Sequence, residues 1–349
     1  MPFSSSKILY HVDRVADWKK GKVSNPITYE IDMTNVCNNK CPFCFGFLDR
    51  KRHPLSIPLT QVKKILKQIK QFNGKAVTFT GGGDPLCNPH TIDAVKYAKS
   101  LGLDVGFITN GLLINDKTAQ ELVKNCLWVR ISLDAATPKT YEKTHGLNGT
   151  AFDKVLTNIK ELVKAKKKLK SNITIGVGFL TYDTTIDEMV PFAKLCKNLG
   201  VDYAQFRPLL KNFKDKEFNE KAHKNLISNI EKSKKLSTAA FKVESSVHKY
   251  NLISKDAQQR AYGKCYGHNF TAVIAADQKM YICCHMRGVQ KYALGDLKLN
   301  TLKQIWHSDN RKKVYENINF KDCPLLCRCD SFNNILWQMS IAPMHENFL

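Results

Sequence analysis

From about residue 25 to residue 210 the chain alternates β-rich runs with amphipathic helical runs, and this rhythm constrains its fold more than any other feature. "ITYEIDMT" (27–34) reads as a strand, "TQVKKILKQIKQF" (60–72) as a helix and "KAVTFT" (75–80) as a second strand. Then come a helix near 89–101, the strand "LDVGFIT" (103–109), a helix at 115–125 and the strand "LWVRISL" (127–133). Helices within 137–169, the strand "NITIGVGFL" (172–180), a helix at 186–199 and the strand "DYAQFRP" (202–208) complete the series. Strands separated by helices of this length pair in parallel, and six such units predict an α/β fold, a partial (β/α)6 TIM-like barrel. An open doubly wound sheet is the alternative architecture for the same alternation.

Beyond residue 210 the rhythm stops. "KNFKDKEFNEKAHKNLISNIEKSKKL" is polar, lysine-rich and helical, with no strand signal. After Tyr262 a cysteine-rich segment begins, and "TAVIAADQKMYICC" (271–284) predicts a β-hairpin turning near Asp277-Gln278. The expected organisation is an N-terminal extension (1–24), the barrel (25–210), a helical connector (211–260) and a small β-rich cysteine-containing auxiliary domain (261–349).

The first 22 residues hold no continuous apolar segment, and no window approaches the ~18 apolar residues of a spanning helix. The expectation is a cytoplasmic protein without membrane contact. Twelve cysteines in such a chain point to metal binding or catalysis rather than to a disulfide framework. They cluster at Cys37, Cys41 and Cys44 and again at Cys265, Cys283, Cys284, Cys323, Cys327 and Cys329, whereas Cys87, Cys126 and Cys196 read as small hydrophobes. A net charge of +23 suits nucleic acid, anionic cofactors or acidic substrates, but runs such as "ELVKAKKKLK" (161–170) are equally solvated helix faces.

In a parallel barrel the functional groups collect where strands end, and the informative loops fall there. "TNVCNNKCPFCFGF" (34–47) follows the first strand and sets three cysteines at Cys-x3-Cys-x2-Cys spacing. Three thiolates suit an iron–sulfur cluster with one iron left open, or zinc with a distant fourth ligand. "TGGGDP" (80–85) lets backbone approach a ligand closely, and Asp84 offers an acceptor for an ammonium group. "TNG" (109–111) ends the third strand. In "SLDAATP" (132–138), Ser132 and Asp134 alternate with Ile131 and Leu133, so both polar side chains leave the strand on one side, as contacts to a ribose or carboxylate require.

With these motifs the segment 25–210 resembles the radical SAM family. "CNNKCPFC" matches the family's cysteine motif, including an aromatic residue, Phe43, before the third cysteine. The resemblance implies that Cys37, Cys41 and Cys44 hold a [4Fe-4S] cluster whose open iron takes the amino and carboxylate groups of S-adenosylmethionine (SAM). It places Phe43 near the adenine, Gly82, Gly83 and Asp84 where the family has Gly-Gly-Glu, and Ser132 and Asp134 at ribose and carboxylate contacts. Asp84 is one methylene shorter than the family's Glu, and His145-Gly146 stands where many relatives carry Arg-Gly. Arg207, in "FRPL", points toward the same end, where it meets SAM or substrate or forms an internal salt bridge.

The C-terminal segment is similar to SPASM and twitch auxiliary-cluster domains. Cys265, twelve residues, Gln278, four residues and Cys283 resemble their opening motif, with Gln for the usual Gly, and "GDLKLNTLKQIWHSDNRKKV" (295–314) resembles a later stretch. One auxiliary [4Fe-4S] cluster is implied, with Cys265, Cys283, Cys323 and Cys329 as ligands and Cys327 as the substitute; zinc on the same thiolates is the structural alternative. Cys284 reads as a buried thiol, a spare ligand or a hydrogen donor.

The implied activity is reductive cleavage of SAM to a 5′-deoxyadenosyl radical that takes a hydrogen atom from a peptide or protein side chain. A nucleotide, nucleotide-sugar or hypermodified nucleic-acid base is the alternative substrate, and a zinc protein that binds nucleic acid is the alternative of another class. A small-molecule substrate and a reductant such as flavodoxin or ferredoxin complete the expected partners.

Overall fold

The computed structural model describes residues 5–44, 53–181, 183–209, 220–247, 249, 250, 260–324, 327 and 329–341. Its strands are β1 (Thr28–Asp32), β2 (Ala76–Thr80), β3 (Asp104–Thr109), β4 (Trp128–Ser132), β5 (Thr174–Thr181), β6 (Tyr203–Pro208) and β7 (Lys242–Ser245), then β8 (Thr271–Ile274), β9 (Lys279–Tyr281) and β10 (Ala293–Asp296). All ten lie in one sheet, in the order β10-β9-β8-β1-β2-β3-β4-β5-β6-β7. From β1 to β7 each strand lies parallel to the next one in the chain. Right-handed crossovers between successive neighbours put every connecting helix on one face. A doubly wound sheet needs its strand order to reverse, so that alternative is excluded.

The two faces differ as this topology requires. Tyr29, Ile31, Val77, Phe79, Val105, Phe107, Val129, Ile131, Ile175, Val177, Phe179 and Phe206 are buried against the helices in one continuous core. Helix Leu59–Gln71 shows how sequence makes that contact: Val62, Ile65, Leu66 and Ile69 follow helical spacing and are its buried residues. The opposite face carries the alternate residues, among them Glu30, Asp32, Thr78, Arg130, Ser132, Gln205 and Arg207. Glycines on this face make room for rings: a Cβ on Gly176 would stand 1.9 Å from the Tyr203 ring, and one on Gly106 would stand 2.2 Å from Trp128.

Two features depart from the sequence expectation. The segment 211–260, read as a helical connector without a strand, holds helix Glu220–Lys234 and also β7, which pairs Tyr203↔Lys242 through Phe206↔Ser245. This seventh parallel strand is a four-residue edge strand whose one buried position is Val243, too short for its alternation to be read. The auxiliary segment is not a separate layer either. Its hairpin β8–β9 forms as expected, with Gln278 at φ +65° in the turn, but β8 pairs in parallel with β1 and extends the barrel sheet. The helix Val12–Lys19 closes this junction, packing Val15 with Ile8, Ile27, Phe270 and Leu336. The Trp306 indole donates to the Ser24 carbonyl (2.8 Å).

The ring-over-glycine packing is testable. Gly176→Ala forces the Tyr203 ring or β5 to shift, at a cost of about 1–3 kcal/mol, and should lower the melting temperature of the full chain. Gly263→Ala, where a Cβ meets nothing within 4 Å, should leave it unchanged.

Candidate active site

The three-cysteine loop leaves β1 directly and is held by three neighbouring loops. The Gly83 and Asp84 amides donate to the Thr34 and Val36 carbonyls (3.0 and 2.9 Å), stitching the glycine loop to the start of the cysteine loop. The approach is so close that a Cβ on Gly83 would lie 2.0 Å from the Val36 carbonyl oxygen. From the other side the Lys40 amide donates to the His145 carbonyl (2.8 Å), and left-handed Gly146 (φ +65°) abuts the Lys40 carbonyl. Asn110, from "TNG", donates through Nδ2 to Asn38 Oδ1 (2.6 Å) and lies 3.8 Å from Cys37 Sγ. The Asn39 amide also points at Cys37 Sγ (3.4 Å).

Amide donors aimed at a sulfur suit a thiolate ligand, whose charge they stabilise, better than a neutral thiol. The loop therefore fits an iron–sulfur cluster on an observation independent of spacing. Cys37, Cys41, Phe43 and Cys44 are all half-buried at this loop, although among the described residues no three His, Cys, Asp or Glu side chains are drawn together as a metal grip.

Asp84 lies at the end of the glycine loop that follows β2. Its carboxylate is 3 % exposed and accepts from Leu86 N (2.9 Å), Thr109 Oγ1 (2.7 Å) and Asn110 N (2.7 Å). Burial raises its pKa, while these donors oppose the shift. It ties β2's loop to β3's loop, and Gly82 and Gly83 present backbone beside it.

Ser132 ends β4, so strand alternation does not carry Asp134 to its position. Asp134 reaches it through a left-handed turn at φ +48°. Its Oδ1 accepts from Leu180 N (2.7 Å) and its Oδ2 lies 3.9 Å from His145 Nε2. Burial lowers the His145 pKa, against the pull of Asp134, and its ring stacks on Tyr141 at 4.1 Å.

Cys265, Cys283, Cys323 and Cys327 act on one another's charge, although among the described residues they too are not drawn together as a metal grip. Cys283, pushed up to about 12 by burial, lies in the fields of Cys265, Cys323 and Cys327, and Cys323, also pushed up to about 12 by burial, in those of Cys265 and Cys327. Cys327 is drawn down to about 7, first by a hydrogen bond from Cys329. Cys329 itself is buried at the N-cap of helix Asp330–Ser340. Asn333 of that helix accepts from Tyr266 N (2.9 Å) and Gly267 N (2.6 Å) and approaches Cys265 Sγ through Nδ2 (3.7 Å). Cys284 opens a short helical turn beyond β9, and Arg287 and Asp32 both act on its thiol, which burial pushes up to about 12.

Arg287 then reaches β1, with Nε 2.9 Å from Asp32 and Nη2 3.1 Å from Glu30. Neither this bridge nor the Arg130 position is marked in the sequence reading, whereas Asn110 lies in the "TNG" stretch that ends the third strand. Arg130 had a signal, a charged residue at an inward position of the strand "WVRIS".

The fold is an α/β sheet, parallel from β1 to β7, with a three-cysteine loop at the end of β1 and a cysteine-containing segment paired to the other edge of β1. Residues 31–189 match the model of the radical SAM superfamily, and residues 265–330 match that of the SPASM iron–sulfur cluster-binding domain. The chain is a radical SAM enzyme with a C-terminal SPASM domain, and it takes SAM, a [4Fe-4S] cluster and an auxiliary iron–sulfur cluster. It is 21% identical to an AdoMet-dependent heme synthase of Methanosarcina barkeri, over 79% of this chain and 81% of that one. It is 28% identical to the mycofactocin maturase MftC of Mycobacterium ulcerans, over 47% of this chain and 44% of the relative. The structure of Streptococcus suis SuiB bound to precursor peptide SuiA shares the fold at a TM-score of 0.68 and 16% identity, covering 89% of this chain and 71% of that one. No helix among the described residues is long and apolar enough to cross a membrane.

Gly83→Ala pushes a methyl group into the Val36 carbonyl, a backbone contact that cannot swing aside. The loop should lose its iron while the SPASM site keeps its own, so iron analysis should read about four rather than about eight atoms per chain.

Proposed function

We propose that the chain modifies a peptide or protein side chain by hydrogen-atom abstraction. The observation that carries the reading is the cradle around Cys37, with two amide donors on its sulfur and the glycine loop pressed against the same loop. Cys37, Cys41 and Cys44 hold the catalytic cluster, and Phe43 flanks the adenine of SAM. Gly82 and Gly83 offer backbone acceptors to the SAM ammonium, since the Asp84 carboxylate is occupied with Leu86, Thr109 and Asn110. Ser132 and Asp134 face the ribose and carboxylate. When bound, the cluster and SAM supply the 5′-deoxyadenosyl radical; the chain's own part is to position the substrate bond and exclude water. A reductant such as flavodoxin or ferredoxin delivers the electron.

The peptide assignment draws support from the likeness to MftC and to the fold of SuiB, although the chain spans under half of MftC. A second reading, a small-molecule substrate, draws support from the heme synthase, which this chain matches over most of both lengths. Domain limits near 25–210 and 261–349 suit both readings.

For the auxiliary cluster we assign Cys265, Cys283, Cys323 and Cys327. Cys329, preferred from spacing, sits at a helix cap and acts on Cys327, which is the thiol that the other three share.

Anaerobically prepared protein should carry about eight irons per chain and form 5′-deoxyadenosine from SAM with dithionite. Cys41→Ala should abolish that product; zinc without iron would sink the reading. Cys327→Ala should remove about four irons and Cys329→Ala none.

A further inference from the structure

We infer that Arg130 and Arg207 form a receptor for a carboxylate of the substrate, on the polar face of the sheet beside the SAM site. This rests on the enzymatic reading above and narrows its substrate to one that carries an acidic group near the reacting carbon.

The inference begins with where the arginines of this chain find partners. Arg287 pairs with Asp32 and Glu30. Arg14 donates to the carbonyls of Asn25 and Pro26, and Arg260 to those of Phe320 and Pro324. Arg311 lies over the Trp306 ring and donates to Asn269. Arg130 and Arg207 have no carboxylate, carbonyl or ring partner among the described residues. Arg130 has one side-chain partner, Gln205 Oε1 at 3.3 Å, and the buried Nε atoms of both arginines, like that of Arg311, have no hydrogen-bond partner among those residues. No carboxylate among those residues lies within ion-pair distance of either.

Their placement brings the charges together. Arg130 is on β4 and Arg207 on β6, and both cross β5 at Gly178, where a Cβ would stand 3.3 Å from Arg207 Nη2 and 3.7 Å from Arg130 Cδ. Glycine at this position opens the space through which the two side chains meet. Burial, and after it the charge of Arg207, pull Arg130 down to about 9, against the opposing effect of Tyr203 and Asp134. Lys249, beyond β7, adds a further cation acting on the same group, for Arg207 and Lys249 oppose each other's charge.

The acids that face this cluster are committed elsewhere. Glu30 and Asp32 are held by Arg287, and Asp134 by the Leu180 amide and His145. Glu244, on β7 beside Gln205, makes no ion pair with either arginine. Paired guanidiniums in a partly desolvated interior, with Asp134 acting on Arg130 only from beyond ion-pair distance, are costly, and an oxyanion bridging the two forks lowers that cost. Ser132 lies one inward position beyond Arg130 on β4, so the receptor sits next to the strand end where SAM is expected. Two sources could supply a carboxylate there, the substrate and SAM itself.

The test uses the full, iron-loaded chain and separates the two sources. Thermal melting is followed with sodium glutarate against sodium chloride at matched ionic strength, and SAM affinity is measured in parallel. Glutarate should stabilise the wild type, and Arg130→Gln or Arg207→Gln should weaken its apparent affinity on the order of 10- to 100-fold. SAM affinity should fall by less than the apparent glutarate affinity in both variants. Arg130→Lys and Arg207→Lys, which keep the charge without the fork, should fall between and stand in for a glutamine variant that fails to fold. A fall in SAM affinity with an unchanged glutarate response would assign the site to SAM. Equal melting in glutarate and chloride, or stronger stabilisation by phosphate than by glutarate, would overturn the carboxylate assignment. Loss of SAM cleavage in the wild type would instead remove the enzymatic reading, and the glutarate response would still decide the anion site.

Discussion

Strand β1 is the element on which the rest depends, because it is paired in parallel on both edges, with β2 on one side and β8 on the other. Its odd-numbered residues, Tyr29 and Ile31, enter the helix-covered core, and its even-numbered ones, Glu30 and Asp32, face the polar interior. Its C-terminal end runs into the cysteine loop. A strand so placed has no freedom to slip: a one-residue shift would bury two carboxylates in the hydrocarbon core and expose two large side chains. The SPASM segment reinforces the register, since Arg287 neutralises both acids from beyond the hairpin. The two domains are therefore joined by backbone pairing and by buried charge, and the auxiliary thiols are fixed relative to the catalytic loop.

The same economy organises the loops above the sheet. Asp84 is spent on holding two loops together, Gly83 and Gly146 allow backbone to touch backbone, and Asn110 bridges to the cysteine loop. None of these contacts touches a reacting atom, yet each fixes where a thiolate or a carbonyl stands. Charge follows a similar division: most of the described arginines answer a carboxylate, a carbonyl or a ring, and Arg130 and Arg207 come together over Gly178.

Much of this was legible in the chain itself. The six β-runs and their helices appear where the alternation puts them, because burial on one face writes a period into the sequence. The hairpin at Asp277-Gln278 and the two cysteine groups were legible for the same local reason. What escaped was non-local. The strand "KVES" is too short to carry a period, and nothing in "TAVI" says that it will pair with a strand more than two hundred residues away.

Sequence alone thus determined the residue types and the local geometry: three thiols on one loop, glycines beside them, strands of known polarity. Tertiary structure decided partners. Asp84 ties two loops together, because Thr109 and Asn110 come within 2.7 Å of it only after β2 and β3 have paired. Cys329 is buried at the start of the helix beginning at Asp330 and its thiol meets that of Cys327, a placement that spacing alone does not give. Spacing along a chain fixes which side chains are available, but a side chain's charge, protonation and partner are set by what packs against it, and that is known only once distant strands have met.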